Sequence, residues 1–476
     1  MGEHVRQHVV LVPGFVGFDA LGQLHYYAGV TSRFGTWRKQ QAEGRDVAVH
    51  CFDNFPTASV ELRAGRLMRY LANKIQRGEI GERDQITLVG HSTGGLDIRR
   101  ALAFAAGESS EVYNGSAQER AEILERCRKV VFLSVPHFGT KLADFSCAFI
   151  WAIQMMVRNA GLGLRWNRDY IAAALSMIPQ SVVGTESQPL LALFDVLHEC
   201  DERAAEDTQR TAEREARAML GLWLDHMGHD FHVLSDLRTR AESDEQTTSP
   251  ALMGPAERRA EVARYREQGL QIRSYVTRVP GSAAADTWVR SALRSLELVA
   301  AVGNRWSRVK RASGRWIAPA LPVQSLFGRT VVASAPLVPA VLALHRRPAI
   351  LFEMFHAICQ SDKDPFVRPS ALLPEVRTLV ADDVIRAADI AVGESDGVVN
   401  TLSMLWPYDD QHPDMHRAFL VECDHGDIIG HYKLRAMDRV NGGRRYQAYD
   451  IFPSGCSFND VLFFRIWDEV FDFAVS

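Results

Sequence analysis

Residues 85–102 read QITLVGHSTGGLDIRRAL. Ile86, Leu88 and Val89 make an apolar run of strand length, and Leu96, Ile98, Ala101 and Leu102 recur at helical spacing. Between them stands Gly90-His91-Ser92-Thr93-Gly94, so the order is strand, tight turn, helix. Glycines two residues either side of Ser92 let neighbouring backbone approach where a Cβ would not fit. The turn therefore presents the Ser92 hydroxyl at a strand end, and the Thr93 N–H, at the start of the helix, has no helical partner.

In this context G-x-S-x-G is the nucleophile elbow of a serine hydrolase. Alone it also describes a glycine turn with a solvated serine, so the partners decide. A nucleophilic serine needs a base, an acid to orient that base, and donors for the oxyanion. GESDGVVNTLSM places Asp396 in a polar turn after the apolar stretch 390–392, and FLVECDHGDIIG places His425 after a short strand at 418–421. The order Ser92, Asp396, His425 is that of the elbow-type hydrolases. The second oxyanion donor is expected after the first strand, in VLVPGFVGF, at the backbone N–H of Phe15. The expected set is thus Ser92, Asp396 and His425 as catalytic residues, with Phe15 and Thr93 as the oxyanion hole.

The rest of the chain frames this set. HVVLVPG (8–14), QITLVG (85–90) and KVVFLSVP (129–136) are near-continuous apolar runs, as a parallel sheet buried on both faces requires. Val60 to Gln76 carries Leu62, Leu67, Leu71 and Ile75 at helical spacing, and QIRSYVTRV (271–279) returns to strand character. The fold class is α/β: a mostly parallel sheet flanked by helices, in one domain over 1–476. The core takes 1–145, 271–280 and 386–476, interrupted by a lid or cap insertion, 146–270, and a second insertion, 281–385, both available to cover a site. The apolar segment 145–157 is a candidate lid helix, and equally a core helix; the charge run 199–217 reads as a solvated helix or a mobile connection. His226, His229 and His232 in HMGHDFH could share one helical face, as a metal site or as a surface cluster.

A net charge of −4 over 476 residues gives no footprint for nucleic acid. Seven scattered cysteines without a C-x-x-C pair point to free thiols in a reducing compartment. No signal peptide is visible, and the apolar stretches 145–157 and 316–344 are too short or too rich in proline to span a bilayer. A cytoplasmic protein with transient lipid-surface contact is the expectation.

The pieces VVLVPGFVGFDALG, LVGHSTGG, VPHFGTKLADF, ESDGVVNTLSM and DHGDIIG together resemble the bacterial true lipases of the α/β-hydrolase superfamily, most closely those of thermophilic bacilli and staphylococci. The resemblance implies an α/β-hydrolase fold with lid insertions, an ester or lipid substrate, no cofactor, and the residue roles above, with His137 structural. The chain departs from that pattern at Pro13-Gly14, where such lipases have His-Gly, so a side-chain tether of the oxyanion loop is missing and proline stiffening takes its place. Asp427 fits one calcium position of the family; the other falls among Gly430, His431 and Tyr432, which offer no carboxylate, so no metal is expected. The reading is a carboxylic ester hydrolase of the lipase type; the same triad would also serve an acyltransferase, a phospholipase or a polyester depolymerase. A lipid-docking module on the same fold is the non-catalytic alternative.

Overall fold

The computed structural model describes residues 5–15, 20–21, 24–40, 46–55, 57–143, 232–239, 249–280, 350–360, 375–381, 383–406, 415–432, 438–440, 443–445 and 454–476. The lid candidate 145–157, the charge run 199–217, His226 and His229, and the apolar stretch 316–344 lie outside them.

The centre is an eight-stranded sheet in the order β4-β1-β5-β6-β7-β10-β8-β9. Its strands are β1 (Gln7–Val12), β4 (Val47–Cys51), β5 (Gln85–His91), β6 (Cys127–Leu133), β7 (Gln271–Arg278), β8 (Glu375–Thr378), β9 (Val384–Arg386) and β10 (His416–Glu422). All pairs are parallel except β8 with β9, which closes one edge as an antiparallel hairpin. Two short hairpins lie apart from it, β2 (Ala20–Leu21) with β3 (Leu24–His25), and β11 (Asp438–Val440) with β12 (Gly443–Arg445). The helices are α1 (Val30–Gln40), α2 (Val60–Gln76), α3 (Thr93–Ala105), α4 (Ala117–Arg126), α5 (His232–Asp236), α6 (Pro255–Glu267), α7 (Ile350–Cys359) and α8 (Asp460–Val475).

Alternation along each strand explains the continuous apolar runs. Val10, Val12, Ile86, Leu88, Val130 and Phe132 pack on one face with Leu67, Leu71 and Ile98 of α2 and α3. Val9, Leu11, Val89, Val131 and Leu133 pack on the other, with Val30 and Trp37 of α1 and Ile466, Trp467, Val470 and Phe471 of α8. Neither face meets water, so neither can afford polar side chains at these positions. A third cluster, built from Val276, Leu402 and Leu420, lies under the loop that carries Asp396.

The expected mostly parallel α/β sheet is present. β8 and β9 extend it into 375–386, largely within the stretch that sequence assigned to the second insertion, and α6, from the first, sends Glu261 to the buried Arg99 at 2.6 Å. Among the described residues no helix is long and apolar enough to cross a membrane.

Candidate active site

Ser92 is the residue between β5 and α3, buried, with φ 54° and ψ −131°. This is backbone that an L-residue rarely adopts, held here because both flanks are over-determined. Its N–H donates to Leu133 O of β6 (2.9 Å), and Thr93 begins α3. The glycines have the expected work: a methyl group on Gly94 would lie 2.4 Å from Val12 O, and one on Gly90 would lie 2.7 Å from Gly95 Cα. Gly14 is as tightly placed, since a methyl there would lie 2.6 Å from Ser92 Cβ. The Pro13-Gly14-Phe15 loop and the elbow are therefore in contact, and the partly buried Phe15 packs against the α2/α3 core.

Asp396 and His425 meet directly: His425 Nδ1 is 2.7 Å from Asp396 Oδ2, and the His425 N–H donates to Asp396 O at 3.1 Å. Asp396 is fully buried, with its carboxylate saturated by donors. Oδ1 accepts the N–H groups of Val398 (3.0 Å) and Val399 (2.8 Å), and Oδ2 also accepts the Thr277 hydroxyl (2.7 Å). Thr277 in turn pairs with the Ser134 hydroxyl at 2.8 Å. With Nδ1 held by the carboxylate, Nε2 of His425 is the ring nitrogen left for proton exchange.

His91, next to Ser92 in sequence, contacts the base of this pair. The His91 and His425 rings lie 4.6 Å apart between centroids, and His91 Nε2 is 3.0 Å from His425 O. On its other side His91 Nδ1 is 2.7 Å from Tyr26 Oη, and Tyr26 accepts the Gly14 N–H at 2.8 Å. Burial pushes the His91 imidazolium well below its usual range and raises the Tyr26 hydroxyl, so both are neutral.

The Pro13-Gly14-Phe15 loop, the expected oxyanion loop, is tied to the core by residues that sequence reasoning missed. Arg63 of α2, fully buried, donates to Pro13 O (3.0 Å), Gly14 O (2.9 Å), Thr93 Oγ1 (3.3 Å) and Phe55 O (2.6 Å). Its charge is met by Asp97 of α3 at 2.8 Å, which Asn54 also contacts at 3.1 Å. Burial pushes the Asp97 carboxyl up to about 6, against the opposing pull of Arg63. The expectation of an untethered, proline-stiffened loop is thus corrected: Tyr26 and Arg63 supply the side-chain tether. A signal was present, because Arg63 falls on the apolar stripe of α2 between Val60 and Leu67. A charge there demands a buried partner.

The remaining candidates have structural partners. His137 is fully buried between Phe132 and Trp406, with ring centroids 4.8 and 4.6 Å away. Asp427 Oδ2 accepts the Asp424 N–H (3.0 Å), while Asp424 Oδ1 accepts those of Gly426 (2.9 Å) and Asp427 (3.1 Å). These carboxylates clamp the His425 turn. His232 opens α5. Among the described residues no cluster of histidine, cysteine and carboxylate is arranged to hold a metal ion.

The family model described as "Putative serine esterase (DUF676)" matches residues 8–164. No curated protein matches the chain. Among solved structures, EstA from Clostridium botulinum is similar at 16% identity, with 90% of this chain and 84% of that one covered and a TM-score of 0.37. Lipase 1 from Pelosinus fermentans is similar at 16% identity, with 96% and 97% covered and a TM-score of 0.37. Bacillus licheniformis lipase BlEst2 in mature form gives 12% identity, 64% and 76% covered and a TM-score of 0.27. The family match, carried by the segment that contains the elbow, supports a serine hydrolase.

Proposed function

We propose that the chain hydrolyses carboxylic esters of the lipase or esterase type through Ser92, His425 and Asp396. The single observation that carries this reading is the 2.7 Å contact between His425 and the buried Asp396, beside a serine held at positive φ between strand and helix. His425 Nε2 takes the Ser92 proton as Oγ attacks the ester carbonyl. The N–H groups of Phe15 and Thr93 receive the oxyanion, and collapse of the tetrahedral adduct expels the alcohol with the proton from His425. Water, deprotonated by the same imidazole, then releases the acid and restores Ser92. Asp396 keeps the ring in the tautomer with its proton on Nδ1 and stabilises the imidazolium.

Ester or lipid substrates follow from this chemistry, and no cofactor enters it. The test is hydrolysis of p-nitrophenyl esters from acetate to palmitate by wild type and Ser92→Ala side by side. Turnover is expected to fall by on the order of 10⁴-fold or more in the variant. Rates that rise toward long chains would make the protein a lipase, and rates confined to short chains an esterase. Full turnover in Ser92→Ala overturns the assignment.

A further inference from the structure

Helix α7 (Ile350–Cys359) supplies none of the triad, yet one stripe of it is laid along the turn that carries Asp396. Phe352, His356 and Cys359 recur at helical spacing and all three are buried. Phe352 lies against Gly397, where an added methyl group would come within 2.5 Å of its ring, and φ is +95°. His356 Nδ1 is 2.8 Å from Ser395 Oγ, the residue preceding the acid. The Gln360 amide nitrogen lies 2.8 Å from His356 Nε2, so that nitrogen accepts and Nδ1–H donates to Ser395. Burial lowers the His356 imidazolium, which keeps the ring neutral with one donor and one acceptor.

The end of the helix is fastened just as firmly. The carbonyl of Cys359 has no helical partner and carries the negative end of the helix dipole. It accepts Asn400 Nδ2 at 3.2 Å and the Lys141 ammonium at 3.0 Å. Asn400 closes the acid turn, pairing with Ser395 in an isolated antiparallel bridge, and Lys141 lies eight residues past the end of β6, at the start of a helical turn. The turn 395–400 is therefore held from below by Thr277 and from outside by α7.

We propose that α7 is a brace that positions Asp396 for catalysis, with His356 as its positioning residue through Ser395. The inference rests on the triad reading given above. Without the brace the turn can relax, Asp396 loses its alignment with Nδ1, and the imidazolium of His425 loses part of its stabilisation.

The experiment compares kcat, KM and the pH profile of kcat/KM for wild type, His356→Ala, His356→Asn and Ser92→Ala on one p-nitrophenyl ester. His356→Ala is expected to lower kcat between about 10-fold and 100-fold with KM within about twofold, the range for a misaligned catalytic group. Its acidic limb should move to lower pH, because a base with a weaker carboxylate partner gives up its proton more readily. His356→Asn, which keeps a donor where Nδ1 was, should restore most of both. A wild-type kcat and limb in His356→Ala overturns the proposal, as does a loss of kcat with an unmoved limb that Asn does not rescue. If His356→Ala does not fold, Ser395→Ala removes the acceptor and carries the same expected limb shift, with an unmoved limb overturning the brace. Turnover surviving in Ser92→Ala is the separate outcome that removes the triad reading itself.

Discussion

His91 Nε2 lies 3.0 Å from the backbone carbonyl of His425, and that one contact orients a chain of hydrogen bonds across the site. A carbonyl can only accept, so Nε2 carries the proton of the neutral His91 ring and Nδ1 is an acceptor. Tyr26 must then donate to Nδ1, which leaves its oxygen to accept the Gly14 N–H. The Pro13-Gly14-Phe15 loop and the His425 loop are thereby held to one another through two neutral side chains. Ser92 sits next in sequence to the central one.

Tyr26→Phe is expected to break that chain while keeping the ring in place. It leaves the Gly14 N–H and His91 Nδ1 without their partner, at about 1–3 kcal/mol for a buried unsatisfied group. Turnover should fall about tenfold or more with little change in KM, since the loop carries the proposed oxyanion donor, Phe15 N–H, which would act in the transition state. Affinity for a boronic acid that forms a tetrahedral adduct on the serine should fall in parallel. A lower denaturation midpoint with unchanged kcat would show that Tyr26 supports folding alone.

Arg63 makes a different prediction, because its charge and its tethering can be separated. Arg63→Met strands Asp97 in the core and should cost about 3–5 kcal/mol by denaturant titration. Arg63→Met combined with Asp97→Leu replaces the buried pair (2.8 Å) by apolar groups and should recover much of that stability. Activity should stay low in the double variant, because Pro13 O and Gly14 O lose their anchor in both. Recovery of kcat along with stability would mean that Arg63 acts only through the ion pair.

How much of this was legible depends on the range of the interaction. Ser92 could be read because strand, glycines and helix are adjacent in sequence, and Asp396 and His425 because each ends in a recognisable turn. β1, β5 and β6 were readable as apolar runs, since both faces of the sheet are covered there, while β7 and β10 showed as shorter segments of strand character. β4 and β9 escaped because they are edge strands, half-buried or exposed, and β8 because it is only four residues long. That Arg63 is buried was legible from its place on the apolar stripe of α2, but what Arg63 and Tyr26 hold was not, because that tether exists only once α2 and the segment before α1 pack beside the elbow. Proline at 13 drew attention to local stiffening, while the holding groups came from 13 and 50 residues away.

The strain at Ser92 gives a prediction in which stability and activity move oppositely. With φ 54° and ψ −131°, the backbone is in a region costing a non-glycine residue about 1–3 kcal/mol. Ser92→Gly should raise the unfolding free energy by about 1 kcal/mol after the added entropy of the unfolded glycine is taken off. It should also abolish ester turnover. Ser92→Ala, which keeps the strain, should be equally inactive and no more stable than wild type; equal midpoints for Gly and Ala would argue that the elbow is not strained.

Acid stability follows from the buried histidines. Burial lowers His91 and His137 well below their ordinary value and takes His416 down to about 3. A histidine whose folded pKa is depressed binds its proton more readily in the unfolded chain, so its contribution is fully present above the unfolded value of about 6.5 and is lost as pH falls toward the folded one. Each such group removes up to about 1.4 kcal/mol per pH unit in that window. Between pH 6.5 and 5 most carboxylates are still ionised in both states; Asp97, pushed up to about 6, takes up its proton in the folded chain and offsets about one histidine, and the remaining histidines set the slope. Urea midpoints should therefore decline on acidification from pH 6.5, and His416→Gln, which can still reach the Ser274 hydroxyl now 2.9 Å from Nε2, should flatten the decline by one proton's worth. An unchanged slope in that variant would mean that His416 takes up its proton in the folded state.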